Sequence, residues 1–175
     1  MKAGSSKVND ARESKVLRTA FLVDIDNICA NGMAPKHMVE AAVSAIHQHY
    51  RPGVNDQIYC AATAVAAYFC KATWPGCTVR IGRGPDGSDL CLLRDGDPKW
   101  LISRFDRVVI ASGDGIFATL AAELIAAGIQ VEVANGLSKV SHKLSSIAPV
   151  RQLQVGRPVA HMQSIYVDVK SIDAA

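Results

Sequence analysis

Short apolar segments alternate with longer amphipathic segments along most of the chain. Five of the apolar runs are four to six residues long and rich in Val, Ile and Ala, which is typical of strands buried on both faces of a parallel sheet. The predicted strands are residues 20–25, 56–61, 77–81, 108–111 and 129–133.

Helical spacing of apolar residues fills the intervals between these strands. Helices are predicted at residues 35–50, 63–72, 88–102 (interrupted at 96–98), 116–127 and 138–146. Ser88 is the expected N-cap of the third helix, and Gly128 closes the fourth. A strand–helix repeat of this kind predicts an α/β fold: a doubly wound, Rossmann-type, mostly parallel sheet with helices on both faces.

The length of 175 residues suits one domain with a short segment at either end. Residues 1–18 are polar and predict a flexible N-terminal tail. The domain is expected to span residues 19–150. The pattern fades after Pro149, so residues 151–175 are assigned to a C-terminal extension.

Composition narrows the class of protein without identifying a partner. The net charge of +3 permits a nucleic acid but does not argue for one. The five cysteines are odd in number and form no C-x-x-C pair, which favours reduced thiols over disulfides or a zinc site. The sequence has neither a signal peptide nor an apolar run long enough to span a membrane, so we expect a soluble, cytoplasmic protein with no membrane partner.

Acidic residues follow three of the predicted strands. Asp24 and Asp26 end the first, Asp86 and Asp89 follow the third, and Asp114 follows the fourth. The carboxyl ends of parallel strands meet at one edge of a sheet, where neighbouring carboxylates repel one another unless they share a cation. Oxygen ligands suit Mg²⁺ or Mn²⁺. The plainer alternative is that each aspartate only caps a helix or ends a strand.

Three segments carry a resemblance to a known family. FLVDIDN (21–27) is similar to the opening strand of NYN domains, GSDLCLLRD (87–95) to their middle motif, and VIASGD (109–114) to their S-G-D segment. The order and spacing agree from about residue 20 to residue 136. The chain thus resembles the NYN domain family of PIN-like metal-dependent ribonucleases, and the resemblance implies a PIN-like fold.

The resemblance also implies a site and an activity. By position, Asp24, Asp89 and Asp114 would be the catalytic metal ligands for Mg²⁺ or Mn²⁺. Asn27 would hold the first loop and Ser112 would orient the site. The expected function is a metal-dependent endoribonuclease that hydrolyses RNA phosphodiester bonds. PIN-like domains often pair, so a homodimer is compatible with this interpretation.

Further residues support this interpretation with less weight. Asp26 and Asp95 are supporting candidates at the site. Arg80, Arg83 and Arg104 flank the acidic loop in sequence and are the expected RNA-binding residues.

One position departs from the family pattern. The family usually has a second acid two residues after the aspartate of S-G-D, but Ile116 stands there in this chain. This motivates an alternative hypothesis, a catalytically degenerate NYN domain that acts as an RNA- or protein-binding module.

Two other classes are weaker matches. Asp24 and Asp26 after an apolar strand resemble haloacid-dehalogenase-type phosphatases, but Asn27 and Ala118 do not fit the motifs of that family. The G-x-G-x-x-G at residues 82–87 matches a dinucleotide-binding fingerprint, but it follows the third strand and contains Pro85.

Overall fold

The structure, a computed structural model, describes residues 17–156. The predicted N-terminal tail to residue 16 and the C-terminal extension from residue 157 lie outside these described residues. No helix within residues 17–156 combines the length and the apolar character needed to cross a membrane.

Six parallel strands form one sheet in the order β3-β2-β1-β4-β5-β6. The strands are β1 (Thr19–Asp24), β2 (Gln57–Ala62), β3 (Thr78–Ile81), β4 (Arg107–Ala111), β5 (Gln130–Asn135) and β6 (Val150–Gln152). The strand order reverses direction between β1 and β4, and that is where ligands bind in doubly wound folds.

Seven α-helices accompany the sheet in the described part of the chain. They are α1 (Ile25–Ile28), α2 (Lys36–Tyr50), α3 (Ala64–Thr73), α4 (Gly87–Asp95), α5 (Pro98–Arg104), α6 (Ala118–Ala126) and α7 (His142–Ser145). A 3₁₀ turn, Gly115–Phe117, precedes α6. The predicted α/β, doubly wound arrangement with helices on both faces is confirmed.

Alternate residues of β1 enter two separate hydrophobic cores. Phe21 and Val23 pack with residues of α1, α2 and α3 on one face of the sheet. Ala20 and Leu22 pack with residues of α4, α5, α6 and α7 on the other face. This two-sided burial explains why the strand reads as one continuous apolar run, and each large side chain buried there stabilises the fold by about 1.5–3 kcal/mol.

The cysteines divide unequally between these cores. All five are free thiols. Cys29, Cys60, Cys70 and Cys77 are buried together in the core beneath α2 and α3. Cys91, on α4, belongs to the opposite face and is only half-buried.

Several predicted elements differ from the observed ones. Asp86 is the residue at the N-cap of α4, whereas Ser88 lies inside the helix, because Asp86 takes a left-handed conformation (φ 52°) that turns the chain into α4. The predicted 138–146 helix is only the single turn of α7. Strand β6 crosses the predicted boundary between the domain and the C-terminal extension at residue 150, and the sequence does not predict it. Its three residues are all exposed, so no periodic burial pattern marks it.

A charge cluster joins β4, β5 and β6 to the end of α2. Glu132 accepts hydrogen bonds from Arg107, from the Tyr50 hydroxyl at 3.0 Å and from Arg151 Nε at 3.4 Å. Burial raises the pKa of Glu132, but the hydrogen bonds from Arg107 and Tyr50 and the charge of Arg107 outweigh it, so the net pKa is lowered. Ionised Glu132 therefore stabilises the folded state.

We expect Glu132→Gln to reduce the free energy of unfolding by about 1–3 kcal/mol at pH 7, because hydrogen bonds to a charged acceptor are lost. The folded-state pKa is below the unfolded value. The contribution is therefore fully present above the unfolded pKa and disappears as pH falls through the folded pKa. Urea unfolding of wild type and variant at pH 7 and pH 3 measures the difference. Glu123→Gln, on an exposed position of α6, is the matched control; an equal loss in both variants would contradict a specific role of Glu132.

Candidate metal and phosphate site at the switch point

Strands β1 and β4 deliver their last residues to the same place. Val23 pairs with Ala111 in the sheet register, so Asp24 and Ser112 begin adjacent loops at the switch in strand order. Asp24 is 3 % exposed although it is acidic. Helix α4 adds Asp89 in its first turn, and Asp89 is buried as well.

Asp24 and Asp89 are in direct contact. The two carboxyl groups lie close enough for one, when protonated, to donate a hydrogen bond to the other. Burial, together with this hydrogen bond and the neighbouring negative charges, raises the pKa of Asp24 to about 8, although the Asn27 backbone N–H donates to it at 3.1 Å. Burial also raises the pKa of Asp89, with the charges of Asp114, Asp86 and Asp26 adding to the effect. The site is therefore a concentration of negative charge that retains a proton.

One oxygen of this pair has no protein partner. Within residues 17–156, Asp89 Oδ1 is buried and receives no hydrogen bond. A buried carboxylate oxygen without a donor costs free energy on the order of 1–3 kcal/mol or more. Such an atom is a feature that a bound cation would relieve.

Asp114 is held somewhat apart from the pair. Its Oδ1 accepts a hydrogen bond from the Ile116 backbone N–H at 3.0 Å, so it caps the 3₁₀ turn. Its charge nevertheless acts on Asp89. Among the described residues, no three His, Cys, Asp or Glu side chains form a group that could hold a metal ion as they stand. Two of the three predicted ligands are thus in contact, and the third lies within electrostatic range.

The donor chemistry at this place fits a hard divalent cation. The available atoms are carboxylate oxygens, which suit Mg²⁺ or Mn²⁺ and not zinc. The unpartnered Asp89 Oδ1 favours a bound cation, because it could serve as a ligand. Asp114 is less suited to be a ligand, because its Oδ1 already accepts a hydrogen bond from the Ile116 backbone N–H.

Asp26 clamps two loops around the site. Its carboxylate accepts from the Thr63 backbone N–H at 2.8 Å, from the Thr63 hydroxyl at 3.4 Å and from the Ser88 hydroxyl at 3.1 Å. Thr63 follows β2 and Ser88 lies at the start of α4. Asp26 thereby fixes the end of β2 and the first turn of α4 relative to β1, and it carries Asp89 into position.

Asn27 and Ser112 hold the other side of the site. Asn27 Oδ1 accepts from the Gly113 backbone N–H at 2.8 Å, and its backbone carbonyl accepts from the Ser138 hydroxyl. Ser112 is fully buried, and its hydroxyl accepts from the Asp114 backbone N–H at 3.2 Å. These bonds join the loops after β1, β4 and β5.

Gly113 is required by close approach of two loops. A Cβ at this position would lie 2.5 Å from the backbone oxygen of Lys139 and 3.2 Å from Asn135 Oδ1. Ser141 also donates its backbone N–H to the Gly113 carbonyl at 2.8 Å. The S-G-D segment can therefore pack against the 136–141 loop only with glycine in its centre.

Of the four remaining predicted residues, Asp95, Arg80 and Arg104 lie outside the cleft, and Arg83 lies in the loop that forms one of its walls. Asp95 ends α4 and forms an ion pair with Arg80 Nε at 2.6 Å, so both residues are committed to each other outside the cleft. Arg83 is exposed in the loop after β3. Arg104 ends α5 and stacks on Trp100, with 4.1 Å from its guanidinium carbon to the ring centre. It lies at the opposite edge of the sheet, beside Gln57 at the start of β2.

Sequence reasoning missed the residues that position the acids. Thr63 and Ser138 bond directly to the D-x-D-N loop, and Ser88 bonds to Asp26 instead of capping α4. Short polar residues at loop positions are common, so none of these three carried a distinguishing signal. The glycine-rich run after β3 was the sequence feature that could have indicated these contacts. Its Gly82 packs against Ser88, where a Cβ would lie 2.4 Å from the Ser88 backbone nitrogen.

The acidic pair opens into a cleft of about 510 Å³. Its lining consists of the D-x-D-N loop, residues 30–32 and the 82–89 segment, together with Thr63 and Ser138. An opening of this size admits a phosphodiester and the adjoining sugars.

Comparison with known proteins bears on the fold. No protein-family model matches the sequence, and no curated protein matches it. A crystal structure of a protein of unknown function from Vibrio parahaemolyticus is similar, with a TM-score of 0.52 and 18 % sequence identity over 78 % of this chain and 92 % of that chain. At this identity the similarity concerns the fold alone.

We expect Asp24→Asn to stabilise the protein at pH 8. The pKa of Asp24 is about 8 when folded and about 3.8 as a free side chain. Between these values the folded state holds a proton that the unfolded state lacks, so stability falls as pH rises through that window. Asparagine does not ionise, so the variant avoids this loss. Its free energy of unfolding at pH 8 should exceed that of wild type by about 1–3 kcal/mol.

Thermal or urea unfolding between pH 5 and pH 8 measures this effect. The variant should have a flatter stability profile than wild type, while Glu123→Gln should keep the wild-type slope. Parallel profiles for wild type and Asp24→Asn would contradict the raised pKa.

Proposed function

We propose that this protein is a cytoplasmic, Mg²⁺- or Mn²⁺-dependent endoribonuclease, an NYN-type member of the PIN-like nucleases. The observation that carries the proposal is the unpartnered, buried Asp89 Oδ1 beside protonated Asp24, at the switch point of a doubly wound sheet. Asp24 also forms part of the D-x-D-N segment on which the resemblance rests.

The charge state of the pair supports cation binding. Without a cation, one of two adjacent carboxyl groups retains a proton. A divalent cation would replace that proton as the neutralising charge, so binding should release protons and strengthen as pH rises. Asp24 and Asp89 would hold the ion, and Asp114 would add negative charge from the adjacent loop.

Hydrolysis of RNA at this site requires that a phosphodiester bind next to Asp24 and Asp89. A bound divalent cation would supply charge stabilisation and would lower the pKa of the attacking water. The chain itself supplies a rigid frame, because Asp26 and Asn27 tie four loops together around the pair. Exposed Arg83, in the loop that forms one wall, is available to a backbone phosphate.

The free thiols support the proposed cellular compartment. All five cysteines are free, and four of them share one buried core where neighbouring sulphurs lie in contact. Reduced cysteines in such numbers are typical of proteins of the cytoplasm. We therefore propose a cytoplasmic location and an RNA substrate found there.

A binding module without catalysis is the second candidate, and Ile116 favours it. The side chain packs against the core formed by α4–α7, so it occupies a position with an apolar role in the fold. Asp114 is engaged in capping, and only two carboxylates are in contact. A domain of this kind would bind RNA without cutting it.

Cleavage of end-labelled single-stranded RNA in the presence of Mn²⁺ tests the first candidate. Wild type should cut, EDTA should stop cleavage, and Asp89→Asn should lower the rate at least about a hundredfold, because the carboxylate with the free oxygen is lost. Asp114→Asn should also lower it. Glu123→Gln should cut like wild type.

The same assay separates the two candidates. RNA that stays intact with wild type and Mn²⁺, while a mobility-shift assay detects binding, would reject the enzyme and leave the binding module.

Ile116→Asp tests whether a lost acid limits the site. If the cleft binds a cation, a carboxylate restored two residues after Asp114 should tighten Mn²⁺ binding by about tenfold, since it adds an oxygen ligand or a nearby charge. Calorimetric titration of wild type and variant with Mn²⁺ measures the change. Ile116→Asn is the control, because asparagine has the size of aspartate without its charge. Unchanged Mn²⁺ affinity in Ile116→Asp would show that position 116 does not face the cation.

A further inference from the structure

A second pocket, of about 290 Å³, lies at the opposite edge of the sheet from the acidic cleft. It is formed by the starts of β1 and β2 and by the end of α5. Its wall includes three aromatic side chains, Tyr59, Trp100 and Phe105, and two cationic ones, Arg18 and Arg104. This combination of flat rings and guanidinium groups differs from the acidic lining of the cleft.

Trp100 is presented to solvent in a fixed orientation. It is 40 % exposed, which is high for the largest apolar side chain. Its indole Nε1 donates to the Tyr59 hydroxyl at 3.2 Å, and Arg104 lies over its ring. The ring is thus held at the surface by specific contacts and does not enter either core.

The two guanidinium groups of the pocket lie over aromatic rings. Arg104 stacks on Trp100 and Arg18 stacks on Phe105, at 4.1 and 5.5 Å from the ring centres. Within residues 17–156 neither forms an ion pair with a carboxylate. The carboxylate in the pocket, Asp56, already accepts two backbone N–H groups, from Thr19 and Gly53, both at 2.8 Å. The lining thus holds two guanidinium groups against one carboxylate, an excess of positive charge that favours an anion.

Strand β2 links this pocket to the acidic cleft. Gln57 and Tyr59 line the pocket, and Thr63, just after the same strand, lines the cleft. Six residues of strand span about 17 Å from first to last. A single-stranded nucleic acid covers this distance within the 4–16 nucleotides that such binding sites commonly occupy.

Arg80, which is ion-paired with Asp95, lies between the two ends. Register pairs Tyr59 with Thr78 and Ala61 with Arg80, so the side chains of Tyr59 and Arg80 point to the same face of the sheet. Strand β3 is at the edge of the sheet, and Arg80 is exposed there. Arg83 follows in the loop that walls the cleft.

We infer that the pocket around Trp100 and Arg104 binds an unpaired nucleotide of single-stranded RNA, several nucleotides away from the phosphate that lies in the acidic cleft. The base stacks on the aromatic surface of Trp100, and its phosphate contacts Arg18 and Arg104. That this nucleotide belongs to the substrate RNA rests on the proposed ribonuclease function. The RNA would run along the exposed outer side of β3, the edge strand, towards Arg83 in the loop that follows it.

Fluorescence anisotropy with labelled RNA in EDTA tests this without requiring cleavage. The probes are a single-stranded oligoribonucleotide of about ten residues, one of about three residues, and a duplex of the longer sequence. The proteins are the full chain as wild type, Trp100→Ala, Trp100→Phe, Arg104→Lys and Tyr68→Ala. Tyr68 is a 73 % exposed aromatic residue on α3 and serves as the matched control.

Trp100→Ala should weaken binding of the longer single strand roughly five- to a hundredfold, the range expected for one stacked base. Binding of the short oligonucleotide and of the duplex should change little. Trp100→Phe keeps an aromatic face and should retain most of the affinity. Arg104→Lys keeps the charge but loses the planar stack, so its loss should be intermediate. Tyr68→Ala should bind like wild type.

Equal affinity of wild type and Trp100→Ala for the longer strand would overturn the inference, and so would failure of wild type to bind it. A loss of equal size with the duplex would also overturn it, because a paired base cannot stack on the ring. Failure of the nuclease proposal is a different result: RNA would remain uncut in Mn²⁺ while its binding still depended on Trp100.

Discussion

Strand β1 is buried along its whole length because helices cover both faces of the sheet, and this two-sided burial governs what its last residue can do. Asp24 emerges from the apolar run into a place with little water, next to Asp89 from α4. The charged form of a carboxyl group is disfavoured there, so the pair retains a proton. The loops that surround the pair carry the hydrogen bonds of Asp26 and Asn27, and they depend on the same strand for their position.

The energetic cost of this arrangement distinguishes the site from ordinary helix capping. Asp24 and Asp114 do cap short helical turns, as the plainer explanation of the sequence requires. Asp89 does not fit that explanation, because it is buried in the first turn of α4 with one oxygen unpartnered. Stability lost at a cluster of like charges is typical of sites that bind a ligand of opposite charge. The Trp100 pocket has the reverse character, with two arginine side chains and an exposed ring.

Most of the fold could be predicted from the sequence, because each buried strand is a short apolar run and each long helix has a clear apolar face. Strand β6 could not, since its three exposed residues show no pattern. The meeting of Asp24, Asp89 and Asp114 at one edge followed from parallel strands ending together. The opposite location of Arg104 did not, because proximity along the chain to an acidic loop says nothing about which end of a helix a residue occupies. The contacts of Ser88 with Asp26 and of Ser138 with Asn27 join loops that are far apart in the sequence. Local sequence patterns therefore cannot predict them.

The cysteines are distributed so that their reactivity can report separately on the two faces of the sheet. Four cysteines lie in the core beneath α2 and α3, whereas Cys91 alone belongs to the face covered by α4–α7. A buried thiol reacts with an alkylating reagent only when its surroundings open. The rate at which the four buried thiols are modified therefore records opening of one side of the sheet, and modification of Cys91 records the environment of α4 beside the cleft. Mass spectrometry of the native chain can follow the two halves separately, with no label introduced by mutation.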